Sequence, residues 1–254
     1  MRVPLSWLRE YVDIDLPVPE LAELLTNAGL EVESIETVGL PGAALEWDRE
    51  RIVLAQILKV EQHPDADRLV LATVEYGAAE PKVAVTGAPN LLPYVGRGDL
   101  SAEGLYTPYA LEGATLYDGH KDGRVKAKLK GRPLRGIYND SMLCSEKELG
   151  ISEEHDGIIL VTSDELRVTS SERSELVTRN SSLVTPGTPL QDIWGDAVLE
   201  IAILPNTARA TSIIGVAREV AALTDKPLRQ PSYDVVMDGP LLDGRVAITT
   251  DEPD

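Results

Sequence analysis

Apolar residues recur at helical spacing in two stretches that lie far apart in the chain. The first stretch predicts a helix over 19–28, because Pro19 suits a first helical turn and Gly29 suits a C-terminal cap. The apolar positions of that helix are Leu21, Leu24, Leu25 and Ala28. The second stretch, "TSIIGVAREVAALTDKP", predicts a helix that ends by Pro227. Its shared apolar face contains Ile213, Ala217, Val220 and Ala221.

Between the two helices the pattern changes to β-rich runs. One strand is predicted after the first helix, in "LEVESIETV", and one before the second helix, in "LEIAIL". Four further runs lie between turn-forming clusters, and several short strands in roughly 100 residues predict a small barrel. These runs are "RIVLAQILKV", "RLVLATVEY", "PKVAVTGA" and "GRVKAKLKG". The section ends in "CSEKELG", where Ser145 and Glu148 have the spacing of a capping box and Gly150 stops a short helix.

Two segments lack this patterning. Residues 162–188 contain 11 Ser or Thr in 27 positions and few large apolar side chains, so we predict a mobile loop there. The last 27 residues contain one strand-like run, "GRVAITT", with no partner downstream. A single strand is marginal alone, so the chain is expected to be cut from a longer protein.

Composition narrows the class of protein. A chain of 254 residues holds one or two domains, and two is the preferred prediction. The only cysteine excludes an internal disulfide, and three histidines lie too far apart for zinc spacing, so no metal is expected. These histidines are His63, His120 and His155. Charges near the N-terminus interrupt any signal peptide and no long apolar run follows, which predicts a soluble cytoplasmic protein without a membrane span.

Charge is distributed unevenly along the chain. The formal net charge is −18, yet residues 46–150 contain 14 Lys or Arg against 16 Asp or Glu, which is a net charge of −2. The flanking residues therefore hold −16. Such acidity repels a nucleic-acid backbone, whereas the middle of the chain does not.

The strongest basic feature is "KDGRVKAKLKGRPLR", with seven basic residues and one acidic residue. Alternation places Val125, Ala127 and Leu129 on one face of a predicted strand. The opposite face holds a cationic ladder, defined as Arg124, Lys126, Lys128 and Lys130. A ladder of this kind can follow a nucleic-acid backbone, or it can be a solvated edge strand that resists aggregation. The candidate nucleic-acid-binding residues are Lys121, Arg124, Lys126, Lys128, Lys130, Arg132 and Arg135.

Two other motifs each allow two interpretations. "HPDAD", residues 63–67, offers metal-ligand side chains, but proline after His63 favours a turn that Asp65 can cap. Cys144 precedes Lys147 and a helix start, which suits a reactive thiol. A nucleophile also needs a base, and only a spatially close His63 could supply one, so buried packing is the preferred role. No phosphate-binding G-x-x-x-x-G-K-[ST] motif is present.

Three segments in order resemble the tRNA-binding barrel of the β subunit of bacterial phenylalanyl-tRNA synthetases and of related free-standing proteins. They are "RIVLAQILKVEQHPDADRLVLATVEYG", "VAVTGAPN" and "LRGIYNDSMLCSEKELGI". The flanks "MRVPLSWLREYVDIDLP" and "LEIAILPNTARATSIIGVAREVAALT" resemble the same subunit, so the resemblance covers about 1–226. The structural positions that this resemblance identifies are His63, Pro64, Asn90, Cys144, Ser145 and Glu148.

The resemblance implies an α+β architecture. A five-stranded oligonucleotide-binding barrel, 45–150, is inserted into a discontinuous winged-helix-like module, 1–44 and 151–226, and 227–254 begins a further editing domain. The resemblance also implies partners: tRNA, bound weakly, and a catalytic α subunit in an α2β2 heterotetramer. ATP and magnesium belong to that α subunit, so this chain is expected to contain no cofactor and no catalytic residue. The alternatives are a free-standing tRNA-binding chaperone and a Cys144-dependent hydrolase.

The chain departs from the family pattern at four places. Thr86 stands where the family often has cysteine, and Asn139, Asp140 and Ser141 replace a Ser-x-Gly sequence. "PNTARATS" differs from the usual Pro-Asn-Arg-x-Asp pattern. The stretch "LSAEGLYTPYALEGATLYDGHKDGR" is longer than expected.

Overall fold

Thirteen short strands and five helices make up the computed structural model, which describes residues 1–163, 166 and 185–230. The strands are β1 (Arg2–Pro4), β2 (Val32–Val38), β3 (Ile52–Gln62), β4 (Val70–Glu75), β5 (Lys82–Thr86), β6 (Leu105–Leu111), β7 (Thr115–Tyr117), β8 (Lys126–Lys128), β9 (Arg132–Leu134), β10 (Ile137–Asn139), β11 (Ser141–Leu143), β12 (Val161–Thr162) and β13 (Asp196–Ile201). The helices are α1 (Leu5–Tyr11), α2 (Val18–Asn27), α3 (Glu146–Leu149), α4 (Leu190–Trp194) and α5 (Ile213–Thr224). Short 3₁₀ helices span Pro89–Tyr94, Ser101–Glu103 and Pro205–Ala210.

These elements confirm the predicted α+β class, since all the sheets are antiparallel and helices accompany them. Most of the loop predicted over 162–188 lies outside the described residues. The strand predicted in "GRVAITT" lies outside them as well, and so does the domain predicted over 227–254 except for its first four residues.

The first and last described strands meet in one three-stranded sheet. β13 lies between β1 and β2 and pairs antiparallel with both, so that Val3 is opposite Leu199 and Leu199 is opposite Ile35. Helices α1, α2 and α5 share an apolar core with this sheet. Its fully buried members include Val3, Leu8, Leu21, Leu25, Leu199, Ile201, Val216 and Val220.

The predicted helices are confirmed with small shifts at their ends. Helix α2 begins one residue earlier than predicted, and Gly29 follows it with a φ of 90°. Helix α5 begins after Ser212, whose hydroxyl accepts from the Gly215 N–H, and it ends at Thr224, followed by Asp225 with a φ of 54° as its C-terminal cap. The end therefore precedes Pro227, and the polar residue in the left-handed conformation stops the helix.

The central sheet has six strands in the order β11-β6-β3-β4-β5, with β12 also paired to β6. The runs predicted at β3, β4 and β5 are confirmed. Strand β6 is not predicted, because Pro108 interrupts its sequence and proline is rare inside sheets. The structure accommodates Pro108 between the positions where β11 and β12 pair with β6, and the Pro108 carbonyl accepts from the Cys144 N–H.

The expected barrel is not closed by backbone pairing among the described residues. Strands β5 and β11 are the two ends of the five-strand order, and no ladder joins them. A side chain joins them instead. The Asn139 amide oxygen accepts from the Val85 N–H at 3.0 Å, and its nitrogen donates to the Val85 and Ser141 carbonyls at 3.5 and 2.9 Å.

The ladder strand differs from its predicted placement. β8 pairs with β7 in a separate two-stranded ribbon outside the central sheet. β7 packs inward through Leu116 and Tyr117, and Leu129 just after β8 packs partly against the same core. The rest of the predicted apolar face is not buried: Val125 is 42% exposed. Ala127 is also exposed and Leu129 is half-buried. Alternation persists in β8 although all three of its residues are exposed.

The chain after the undescribed segment returns to the central sheet. The Leu54 N–H donates to the Thr188 carbonyl, and the Gly187 N–H donates to the Leu54 carbonyl. These bonds add a short segment to the edge of β3. Gly187 also lies against Gly77 so closely that a Cβ on either residue would be 2.7 Å from the other residue's Cα.

Candidate nucleic-acid interface

The seven candidate basic residues all lie on the surface of the ribbons between β7 and β10. Lys121 forms an ion pair with Asp118 at 3.3 Å, and Arg124 approaches Glu153 at 3.9 Å. No described carboxylate lies within ion-pairing distance of the other five, which are Lys126, Lys128, Lys130, Arg132 and Arg135. Their positive charge is therefore available to an anion.

The β9–β10 hairpin presents one of these cations at its tip. Arg135 has a φ of 48° and is followed by Gly136 with a φ of 88°, which is the backbone of a tight two-residue turn. Tyr138 on β10 is 62% exposed. The hairpin is tied to the sheet by an ion pair between Lys82 on β5 and Asp140 at 2.7 Å.

A groove of about 530 Å³ lies where this hairpin, β5 and the chain after α3 meet. Lys130 and Arg132 line it, and so do His120 and His155. The apolar part of the lining consists of Leu69, Val85, Ala88, Pro89, Leu129, Leu134, Met142, Leu143 and Ile158. The structure therefore brings together two of the seven predicted residues, and it places the other five outside the groove.

The lining of the groove also contains polar groups. Thr86 lines it, with its hydroxyl oxygen accepting from the Ala88 N–H at 3.2 Å, so the hydroxyl proton can be donated elsewhere. The Ser141 side chain is buried and lines the groove. Burial raises the pKa of the neighbouring Tyr109 to about 12, against a smaller opposite effect of Ser141. A buried phenol of this kind stays neutral at physiological pH.

Two asparagine side chains hold the walls of the groove in place. One is Asn139, which bridges to Val85 as described above. The other is Asn90, whose nitrogen donates to the Ile158 carbonyl at 2.8 Å and whose oxygen accepts from the Ile158 N–H at 3.3 Å. Each side-chain amide thus forms the pair of hydrogen bonds that a backbone peptide group of a neighbouring strand would form.

The "HPDAD" segment forms the predicted turn between β3 and β4, with Pro64 exposed. The capping group differs from the prediction: His63 is buried, and its Nδ1 accepts from the Asp65 N–H at 3.1 Å. An imidazole nitrogen reaches this amide because extended backbone before proline directs the ring over the turn. Among the described residues, no group of three or more metal-ligand side chains converges.

The capping box predicted at Ser145 and Glu148 is present, and Gly150 ends α3 with a φ of 73°. Cys144, just before it, is fully buried, and its thiol lies 3.7 Å from the Met142 carbonyl oxygen. Desolvation, and secondarily the Glu148 carboxylate, raise the pKa of Cys144 well above its usual range. Packing is therefore the role that the structure supports, and the hydrolase alternative lacks an accessible thiolate.

We expect the Cys144 thiol to resist alkylation in the native protein at neutral pH and to react rapidly in denaturant. Burial excludes the reagent, and the raised pKa leaves little thiolate to attack it. The measurement is mass spectrometry of iodoacetamide-treated protein over time, with a small free thiol as the rate standard. Native modification at the rate of that standard would contradict the buried placement.

Sequence comparisons relate the chain to proteins of translation. It is 38% identical over 248 residues to "Phenylalanine--tRNA ligase beta subunit" of Protochlamydia amoebophila, covering 98% of this chain and 26% of that protein. It is also 38% identical to the protein of the same name from Thermosynechococcus vestitus, covering 91% of this chain and 23% of that protein. It is 36% identical to the protein of that name from Moorella thermoacetica, covering 100% of this chain and 27% of that protein.

The chain spans about a quarter of the length of these curated relatives. No protein-family model matches it. Within the described residues, no helix combines the length and the apolar character that crossing a membrane requires.

Proposed function

We propose a non-catalytic role for this chain, which is homologous along nearly its whole length to about a quarter of the phenylalanine–tRNA ligase β subunit. In that role it contributes tRNA binding and subunit assembly to the ATP-dependent attachment of phenylalanine to tRNA. ATP and magnesium are bound by the partner α subunit of an α2β2 complex. This homology agrees with the resemblance of the three ordered motifs, and the proposal starts from it.

The observation that carries tRNA binding is the group of unpaired cations on the two ribbons. Lys126, Lys128 and Lys130 stand at alternate positions, about 7 Å apart along the chain, and all three are exposed. They lie in the part of the chain whose net charge is only −2, while the remainder holds −16. Cations so placed attract phosphate and release counterions, with little dependence on base sequence.

The strand order supports an oligonucleotide-binding barrel as the scaffold. The order β11-β6-β3-β4-β5 has five strands, and Asn139 connects its two ends across one residue of β5. A five-stranded, partly open barrel is the architecture of oligonucleotide-binding folds. In such folds the loops between strands bind the ligand, and both basic ribbons lie within one such connection, between β6 and β11.

The assembly role is assigned to the three-stranded sheet and its helices. Two large apolar side chains in this part of the chain lie on its surface, outside its apolar core. Trp7 on α1 is 49% exposed, and Leu204 is 52% exposed. Exposed aromatic and aliphatic side chains are common anchors of protein interfaces.

The test of tRNA binding is a titration of the chain with labelled tRNA at several salt concentrations. We expect weak binding with a slope of log affinity against log salt of about −3, from roughly −0.7 for each of four phosphate contacts on single-stranded RNA. A variant with Arg124, Lys126, Lys128 and Lys130 changed to alanine should lose that slope.

The matched control removes four arginines from the other sheet and its helices. These are Arg2, Arg9, Arg209 and Arg218, all of them exposed. Both variants change the net charge by the same amount, so a general charge effect predicts equal losses. Equal affinity and slope in the wild type and the ladder variant would show that the ladder is only a solvated edge.

A further inference from the structure

The groove differs in chemistry from the ladder that leads to it. The ladder strand β8 is exposed on both sides, whereas the groove combines apolar side chains with the cations Lys130 and Arg132. Two carboxylates, Glu148 and Asp156, also line it, and that of Glu148 already accepts hydrogen bonds from Ser145 in the capping box. Lys130 belongs to both features, because it is the last residue of the ladder and lines the groove. A polyanion that follows the ladder therefore arrives at the groove.

We propose that the groove receives one unstacked nucleobase of a bound single-stranded RNA segment, while Lys130 and Arg132 hold the adjoining phosphates. This inference rests on the proposed function and adds to it a specific binding site. The ladder supplies sequence-independent attraction, and the groove supplies a contact that only a splayed-out base can make.

The size and lining of the groove suit a base. Its volume of about 530 Å³ falls within the range of roughly 300 to 1,000 Å³ that holds small organic ligands. The half-buried side chains of Leu129, Leu134 and Met142 offer an apolar surface to a heterocycle. The Thr86 hydroxyl, which is partly exposed, offers a hydrogen bond to its edge. An acidic peptide would use the cations but would gain little from the apolar lining.

The walls of the groove are fixed before a ligand arrives. Asn139 ties the start of β11 to Val85 of β5, and Asn90 ties the opposite wall to the backbone of Ile158. Gly157 packs directly against Asn90, since a Cβ there would lie 2.8 Å from the Asn90 amide carbon. A fixed cavity avoids the entropic cost of ordering its walls on binding.

Gly87 provides a direct way to fill the groove. It lines the groove, and a Cβ on it would lie 3.6 Å from the nearest side-chain atom, Leu69 Cδ2, which is ordinary van der Waals contact. Its φ is not positive, so Gly87→Leu strains no backbone. The control is Ala79→Leu, which adds a leucine side chain at an exposed position between β4 and β5.

The probe is a short oligoribonucleotide with 2-aminopurine placed at each position in turn. With the 254-residue wild type we expect increased fluorescence at one position, because an unstacked base in an apolar groove is no longer quenched. Gly87→Leu should abolish that increase and weaken binding about 5- to 100-fold, as loss of one base contact does. Ala79→Leu should bind as the wild type does.

The outcomes separate the two proposals. If the wild type binds and the ladder variant weakens binding, but Gly87→Leu keeps both affinity and fluorescence, the groove inference fails and tRNA binding stands. If the wild type binds neither tRNA nor the oligonucleotide, both proposals fail. If a glutamate-rich peptide binds in a manner that Gly87→Leu blocks while the oligonucleotide does not bind, the groove belongs to a peptide and the inference is overturned.

Discussion

Replacing Gly187 with alanine is expected to destabilise the protein by about 2 to 5 kcal/mol, the combined cost of a strained backbone and of overpacking. Gly187 has a φ of 89°, which alanine adopts only at a cost. The added Cβ would lie 2.7 Å from the Gly77 Cα, and Gly187 cannot move away without disturbing the bonds from 187–188 to β3. Urea denaturation of the purified chain measures the loss.

The control for this prediction is Gly96→Ala. Gly96 has a similar φ of 75°, but a Cβ added to it would meet nothing within 4 Å, so this variant isolates the backbone cost of about 1 kcal/mol. Gly77→Ala meets the same close contact from the other side. The double variant of Gly77 and Gly187 should therefore lose less stability than the sum of the single variants. Equal effects of Gly187→Ala and Gly96→Ala would mean that the contact is looser than described.

The second large effect is expected at Asn139, where leucine should cost about 2 to 5 kcal/mol. Asn139→Leu removes the partner of the buried Val85 N–H and of two carbonyls, and each unsatisfied buried group costs roughly 1 to 3 kcal/mol. Asn206→Leu, at an exposed asparagine, is the control. A small change in the unfolding midpoint of Asn139→Leu, similar to that of the control, would contradict the bridging role.

Asn139→Asp adds a pH dependence with a definite sign. The introduced carboxylate can still accept from the Val85 N–H, but it faces two carbonyl oxygens to which the amide nitrogen donates. Burial and these oxygens should raise its folded-state pKa above the unfolded value of about 3.9. The protonated acid restores one donor, so the loss relative to wild type should be smaller in acid. Urea denaturation at several pH values should show the loss growing as pH rises from the unfolded pKa towards and through that raised pKa.

Strongly periodic elements were accessible to sequence reasoning because their burial follows from local spacing. Helix α5 buries Ile213, Ala217 and Val220, as the spacing predicts. Strand β8 shows the limit of that reasoning: alternation predicts two faces, but it does not say whether anything covers the apolar one. Strand β6 was not predicted because a sheet tolerates proline only where no neighbouring strand needs the missing N–H. Here Pro108 lies between the positions where β11 and β12 pair with β6, an arrangement that only the whole sheet defines.

The groove could not be predicted for a related reason. Its lining combines Thr86, Arg132 and His155, which no local spacing connects and which only the tertiary fold brings together. The available signal was chemical: Asn139 departs from the family pattern, and a buried polar side chain requires a partner. That signal indicates a role in pairing backbone groups, but not the identity of the residue with which it pairs.

The position of β13 between β1 and β2 has a consequence for synthesis on the ribosome. Both outer strands emerge early, but their shared neighbour at Asp196–Ile201 follows only after the whole central sheet, a delay on the order of ten seconds at ordinary translation rates. During that interval β2 is an unpaired strand with an exposed Ile35. Glu33 and Glu36 on the same strand provide charge that discourages pairing with other nascent chains. The acidity of the flanks thus protects a sheet that must wait for its middle strand.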